Sequence, residues 1–156
     1  TELGHRLPTD FTVLMSRFPS GSFADKFDVF SPVQDRKSLD QFQADRALLL
    51  SELFHRRETA EAENKPRLAV PYPIHPETGG LIPWGRGDEH AYYWLATDLA
   101  DPDGWTVVYS LLRDTGWGAY AGTMSNFVYD VLSGRYIDEM LYYEPDEEDR
   151  KFFPFD

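Results

Sequence analysis

The stretch from Ile82 to Asp98, IPWGRGDEHAYYWLATD, constrains the fold more than any other part of the chain. Ile82 to Gly85 is extended and apolar, Arg86-Gly87-Asp88 has turn chemistry, and Ala91 to Leu95 is aromatic and β-prone. The pattern predicts a hairpin. Period-two alternation sends Tyr92 and Trp94 to one face and Tyr93 to the other. With Trp84 added, large rings stand on both faces, and each face needs a cover. The hairpin is therefore expected at the centre of a sheet.

The flanking sequence offers the covers. Leu7-Pro8 followed by Phe11, Leu14, Met15 and Phe18 makes a helical stripe that Pro19 and Gly21 end. Phe27 to Phe30 reads as a strand stopped by Pro32. Ser38 and Gln41 fit a capping box, and Leu39, Phe42, Leu49, Leu50, Leu53 and Phe54 form a second buried stripe. Arg56 to Lys65 loses that stripe and is expected to fray. Ala69 to Ile74 is extended, with Pro71 and Pro73 confining it to a sheet edge. Trp105 to Leu112 is a strong strand with Val107 and Tyr109 facing opposite to Val108. Gly116 to Gly122 is a short aromatic strand. Thr123 or Ser125 caps a third helix that buries Met124, Phe127, Val128, Val131 and Leu132 and closes at Gly134. This order predicts an α+β domain, a mainly antiparallel twisted sheet flanked by helices. The domain is expected over residues 1–143, with an acidic and aromatic tail over 144–156.

With 156 residues, one domain and a substantial core are expected. The formal net charge is −12, from 15 basic and 27 acidic side chains. That balance argues against nucleic acid or an anionic membrane surface as partner and favours a basic protein. No apolar run is long enough to span a bilayer. The absence of cysteine excludes disulfides and thiolate metal sites and fits a cytoplasmic location. The first residue is Thr rather than Met, so the numbering is expected to start inside a longer protein.

Chemistry-bearing motifs are sparse. Asp88-Glu89-His90 are adjacent, with His75 and Glu77 upstream, but neighbouring residues do not converge on one ion and no His-Glu-x-x-His occurs. Asp98, Asp101 and Asp103 before Gly104 lack the spacing and terminal glutamate of a calcium loop and read as an Asx-rich turn. There is no Gly-x-Ser-x-Gly and no phosphate-cradling glycine loop. The reading is non-enzymatic, with no cofactor and no metal. Trp94, Trp105, Tyr109 and Phe127 are expected in the core. Trp84, Tyr93, Trp117 and Tyr120 are candidates for a contact groove, with core packing the competing reading for each. Asp88, Glu89 and Asp98 are the electrostatic candidates beside them. The acidic run Glu144 to Asp149 is a further candidate contact or a solvated tail.

The order of these features resembles the SUKH superfamily, the Smi/Knr-type proteins. The similarity lies in the Leu-Pro helix leading to a glycine turn (Leu7, Pro8, Phe11, Gly21) and in the strand pair bearing Trp84-Gly85 and Tyr93-Trp94. It continues through the Asp-containing turn and strand (Asp98 to Val108) to the closing helix opening Thr-Met-Ser-Asn-Phe-Val at Thr123. It covers roughly residues 1 to 135, and of the family's preceding helix only Glu2-Leu3-Gly4 would be present. The long charged helix and the aromatic terminus fit less closely. What the resemblance implies is a binding protein: many bacterial members look like immunity proteins that neutralise polymorphic toxins, often nucleases, and fungal relatives act as adaptors. A basic toxin domain is thus the expected partner, and a cytoplasmic adaptor role without a toxin is the alternative.

Overall fold

A computed structural model describes residues 3–112, 116–141 and 150–155. Its strands form a seven-stranded, entirely antiparallel sheet flanked by helices, an α+β fold. In chain order the elements are α1 (Thr9–Arg17), β1 (Gly21–Phe23), β2 (Phe27–Val29), α2 (Arg36–Ala62), β3 (Leu81–Arg86), β4 (His90–Leu95), β5 (Thr106–Leu111), β6 (Trp117–Tyr120), α3 (Met124–Leu132) and β7 (Phe152–Pro154). The sheet order is β6-β5-β4-β3-β2-β1-β7, so the predicted hairpin, β3 with β4, lies at its middle.

Both faces of that hairpin are covered. Ile82, Trp84, Tyr92 and Trp94 join Val107 and Tyr109 beneath α1 and α3, against Phe11, Met15, Met124 and Phe127. Tyr93, Ala91 and Val108 face the other way, against Leu49 and Leu53 of α2. The period-two pattern read in the sequence accounts for both layers.

Helix α2 differs from the expectation at both ends. It starts at Arg36 because Asp35 is the N-cap, its carboxylate accepting from the Ser38 backbone N–H at 2.7 Å. It does not fray at Arg56 but runs to Ala62, where Ala60 is buried. Asn64 then adopts φ +51°, and Lys65 and Asn64 donate backward to Ala60 and Glu61, the bond pair of a Schellman motif. The bidentate Arg57–Glu77 pair, at 2.8 and 3.0 Å, ties this charged end to the loop before β3. Tertiary anchoring and a good C-cap replace the missing apolar stripe.

Ala69 to Ile74 is not an edge strand. Only Ile74 makes a bridge, parallel to Leu81, because Pro71 and Pro73 have no N–H to donate. The edges are β6 and β7. The aromatic terminus is part of the sheet: Phe152 faces Phe23 across β1, and its ring packs on Phe18 and Phe23, each at 4.9 Å. It lies over Gly21, where a Cβ would meet the ring at 2.5 Å. The boundary expected at residue 143 therefore does not separate a free tail from the domain. The run Glu144 to Asp149 lies outside the described residues.

The Asp98–Gly104 turn is structural. The Asp103 carboxylate accepts from the Thr9 backbone N–H at 2.7 Å and from its hydroxyl at 3.0 Å, capping α1 from across the fold. That bond holds its carboxyl below the usual range. At the other helix pair, Asp10 of α1 accepts from the backbone and hydroxyl of Ser125 at the start of α3. Among the described residues no helix is long and apolar enough to cross a membrane.

Candidate partner-binding surface

The four candidate rings do not form a groove. Trp84 is 2% exposed and stacks on Tyr92 at 5.2 Å beneath α3. Tyr93 is equally buried on the opposite face, its hydroxyl 3.3 Å from Ser110 Oγ, and burial pushes that hydroxyl up to about 12. Trp117 also lies on the α2 face, partly buried between Tyr72 and Tyr93, with the Arg56 guanidinium 5.4 Å from its ring centre. Tyr120, three residues on, points to the α3 face, packs on Phe127 and donates to Asp130 at 2.5 Å. Burial, and then Asp130, push its hydroxyl up to about 12. Aromatic content marked a two-faced core. A hairpin in mid-sheet has no outward face to offer.

The acidic candidates separate into two places. Asp98 stands beyond the C-terminal end of β4, where its carboxylate accepts from Ala100 N and its carbonyl accepts from the Trp105 indole. Asp88 and Glu89 stand before the N-terminal end of β4. The six residues of β4 between them span roughly 20 Å at about 3.4 Å per residue. Asp98 therefore does not act with the other two.

Asp88 and Glu89 have a neighbour that the sequence did not single out. The β1–β2 turn, Ala24 to Lys26, lies alongside the β3–β4 turn so closely that a Cβ on Gly87 would stand 2.5 Å from the Lys26 carbonyl oxygen. Only glycine permits that approach. The two turns present Asp25, Asp88 and Glu89, all exposed, as one acidic ridge. Behind the ridge Asp28 is half-buried. Burial raises its carboxyl first, and Asp25 and Asp88 add repulsion while Arg86 opposes.

A β-bulge organises what lies beneath. Pairing shifts between Pro83 and Gly85, so Trp84 is the extra residue and Arg86 pairs with Ala91. An unshifted register would put Arg86 on the α1/α3 face with Ile82 and Trp84. The shift turns it toward α2, where its guanidinium meets Asp45 at 3.1 Å. Burial raises the Asp45 carboxyl and Arg86 opposes that rise. On the other side of the turns, Lys26 Nζ donates to the Leu141 carbonyl at 2.6 Å and stands 3.5 Å from His90 Nδ1. His90 Nε2 donates to the Met140 carbonyl at 2.7 Å, leaving Nδ1 as the acceptor and the ring neutral. Burial lowers Lys26 to about 8, with Glu89 opposing. These contacts fix both turns to the body of the domain.

A groove of about 540 Å³ runs from Arg86 along α2, lined also by Ser51, Glu52, His55, Arg56 and Tyr93. Its cations are engaged: Arg86 with Asp45, and Arg56 with Trp117 and the Leu111 carbonyl. Among the described residues no hydrogen bond joins Ser51 to His55 as a nucleophile and base would require, and no group of three or more His, Asp or Glu side chains is arranged to hold a metal ion. The arrangement suits recognition of a cationic surface by rigidly held carboxylates. Asp25, Asp28, Lys26, Asp45 and Arg86 were missed in the sequence because their proximity depends on which hairpins are neighbours; the charged Ala-Asp-Lys turn was the only local signal. No family model matches the chain, and no match to it is found among curated proteins or solved structures.

Proposed function

We propose that this chain is a non-enzymatic protein-binding domain of the SUKH type, an immunity protein that neutralises a toxin domain by direct binding. The observation that supports this reading is the paired-turn ridge of Asp25, Asp88 and Glu89, exposed carboxylates on anchored turns in a chain of net charge −12. Fixed like charges held on a rigid scaffold accelerate encounter with a basic surface. They also contribute to affinity with little ordering cost, because the turns are already held. The partner is accordingly a basic domain, covered at its active site or beside it.

The test is co-expression with the product of the adjoining reading frame, followed by association kinetics of the purified pair. Reversing charge at both Asp88 and Glu89 is expected to slow association about tenfold at low salt. Raising salt is expected to slow the parent protein toward the rate of the variant. Association indifferent to ionic strength and to the double reversal would remove the electrostatic reading. A neighbouring product that is harmless and does not co-purify would remove the immunity reading.

A further inference from the structure

Helix α2 buries Phe42, Arg46, Leu49 and Leu53 on one side and presents the other to solvent. On its first half Lys37, Asp40, Ala44 and Ala47 are exposed, at intervals of three, four and three. On its second half Leu48, Ser51, His55 and Glu58 are exposed, at the same intervals. Such spacing keeps them on one helical face. The face therefore reads the same in either direction about the midpoint between Ala47 and Leu48.

An isologous contact needs that property, because residue i of one copy meets j of the other and j meets i. Two α2 helices laid antiparallel about the midpoint bring Lys37 opposite Glu58 at both ends. Asp40, held along its own helix by Arg36 at 3.1 Å, comes opposite His55, a ring that can donate to it. Gln43 comes opposite Glu52, an amide donor before a carboxylate. Ala44 meets Ser51, and Leu48, 48% exposed in the single chain, meets its own copy at the axis. The small side chains at Ala44, Ala47 and Ser51 let the helix axes approach to the near end of the usual 8–10 Å. A parallel pair would instead set Lys37 on Lys37 and Glu58 on Glu58. We infer that a second copy of this chain packs antiparallel on the exposed face of α2, with the two-fold axis between Ala47 and Leu48. From Lys37 to Glu58 the contact runs roughly 32 Å and is about one helix wide. That is well below the ~800 Å² per partner of a standard interface, so a reversible dimer with a dissociation constant on the order of 0.1 mM is expected. The contact uses none of Asp25, Asp88 and Glu89 and stands independently of the binding function proposed for them.

The test is sedimentation equilibrium of the full chain up to about 1 mM, an order of magnitude above that constant. Lys37→Glu and Glu58→Lys each replace two opposite-charge contacts by two like-charge ones, and each should weaken the dimer about tenfold. An equimolar mixture of the two variants should recover the parent affinity, since both contacts of the mixed dimer are again of opposite charge. The chain has no cysteine, so Leu48→Cys supplies a sole thiol at the axis. Its oxidation should yield a disulfide-linked dimer. Glu58→Cys, roughly 30 Å from its own copy, should not cross-link. A chain that stays monomeric to ~1 mM, a dimer indifferent to either charge reversal, a mixture no tighter than the single variants, or cross-linking through Glu58→Cys as readily as through Leu48→Cys would each overturn the inference.

Discussion

Truncating Trp84 separates a core ring from a contact ring. Trp84 is 2% exposed and touches three aromatic neighbours: Tyr92 at 5.2 Å, Phe27 at 6.2 Å and Phe127 at 6.3 Å between ring centres. A buried Trp→Ala change costs about 3–5 kcal/mol through lost transfer energy and the cavity left behind. Each well-placed ring pair adds to that burial, by about 0.5–1.5 kcal/mol. Trp84→Ala is therefore expected to lose about 4 kcal/mol, which at a slope of about 2 kcal/mol per molar lowers the urea midpoint by about 2 M. Trp84→Phe gives an internal control. The indole Nε1 is buried without a hydrogen-bond partner, so its removal offsets part of the lost volume. That variant should lose about 1 kcal/mol. The assay is urea unfolding followed by circular dichroism at two wavelengths. A loss below about 1 kcal/mol for Trp84→Ala, or equal losses for both variants, would refute the assignment of this ring to the core.

Ala24 and Asp25 hold φ values of +56° and +55° in the β1–β2 turn, where left-handed backbone is costly for residues with a Cβ. Asp25→Gly is expected to raise stability by about 0.5–1 kcal/mol, seen as a thermal midpoint a few degrees higher; a lower midpoint would contradict the strain argument. The histidine cluster sets a pH dependence. His75 falls from 6.5 to about 4 on folding, and His5 and His90 are also lowered, burial being the largest cause for all three. The unfolded chain then binds more protons, so stability is full above pH 6.5, declines on acidification, and for His75 levels off below about pH 4. The groups around His75 are His5 and Arg46, both raising the cost of its protonation. Asp28 and Asp45, whose carboxyls are raised, act in the opposite sense. Comparing the parent with His75→Asn cancels those carboxylates: the variant should show a shallower decline across this window, and identical slopes would show that His75 does not contribute.

What the sequence by itself determined was the set of elements and their buried faces. Alternation in Ala91 to Leu95 assigned Tyr92 and Trp94 to one layer and Tyr93 to the other, and Val107, Val108 and Tyr109 likewise, because a strand's side chains must alternate. The antiparallel α+β class followed from the order of helices and strands along the chain. Local signals failed where distant residues supplied the energy. The end of α2 was held by Glu77 and the terminal strand by β1. The candidate surface was harder still to read. Ring content marked Trp84 and Tyr93, yet a mid-sheet position buries both faces. Asp88 and Glu89 were found by charge, whereas Asp25 joined them only because β2 packs beside β3 in the sheet. One bulged residue turned Arg86 from one layer to the other. Strand period is a property of the backbone and so is written locally; strand order, register and the coincidence of two turns are properties of the packed chain, and only the tertiary structure decided them.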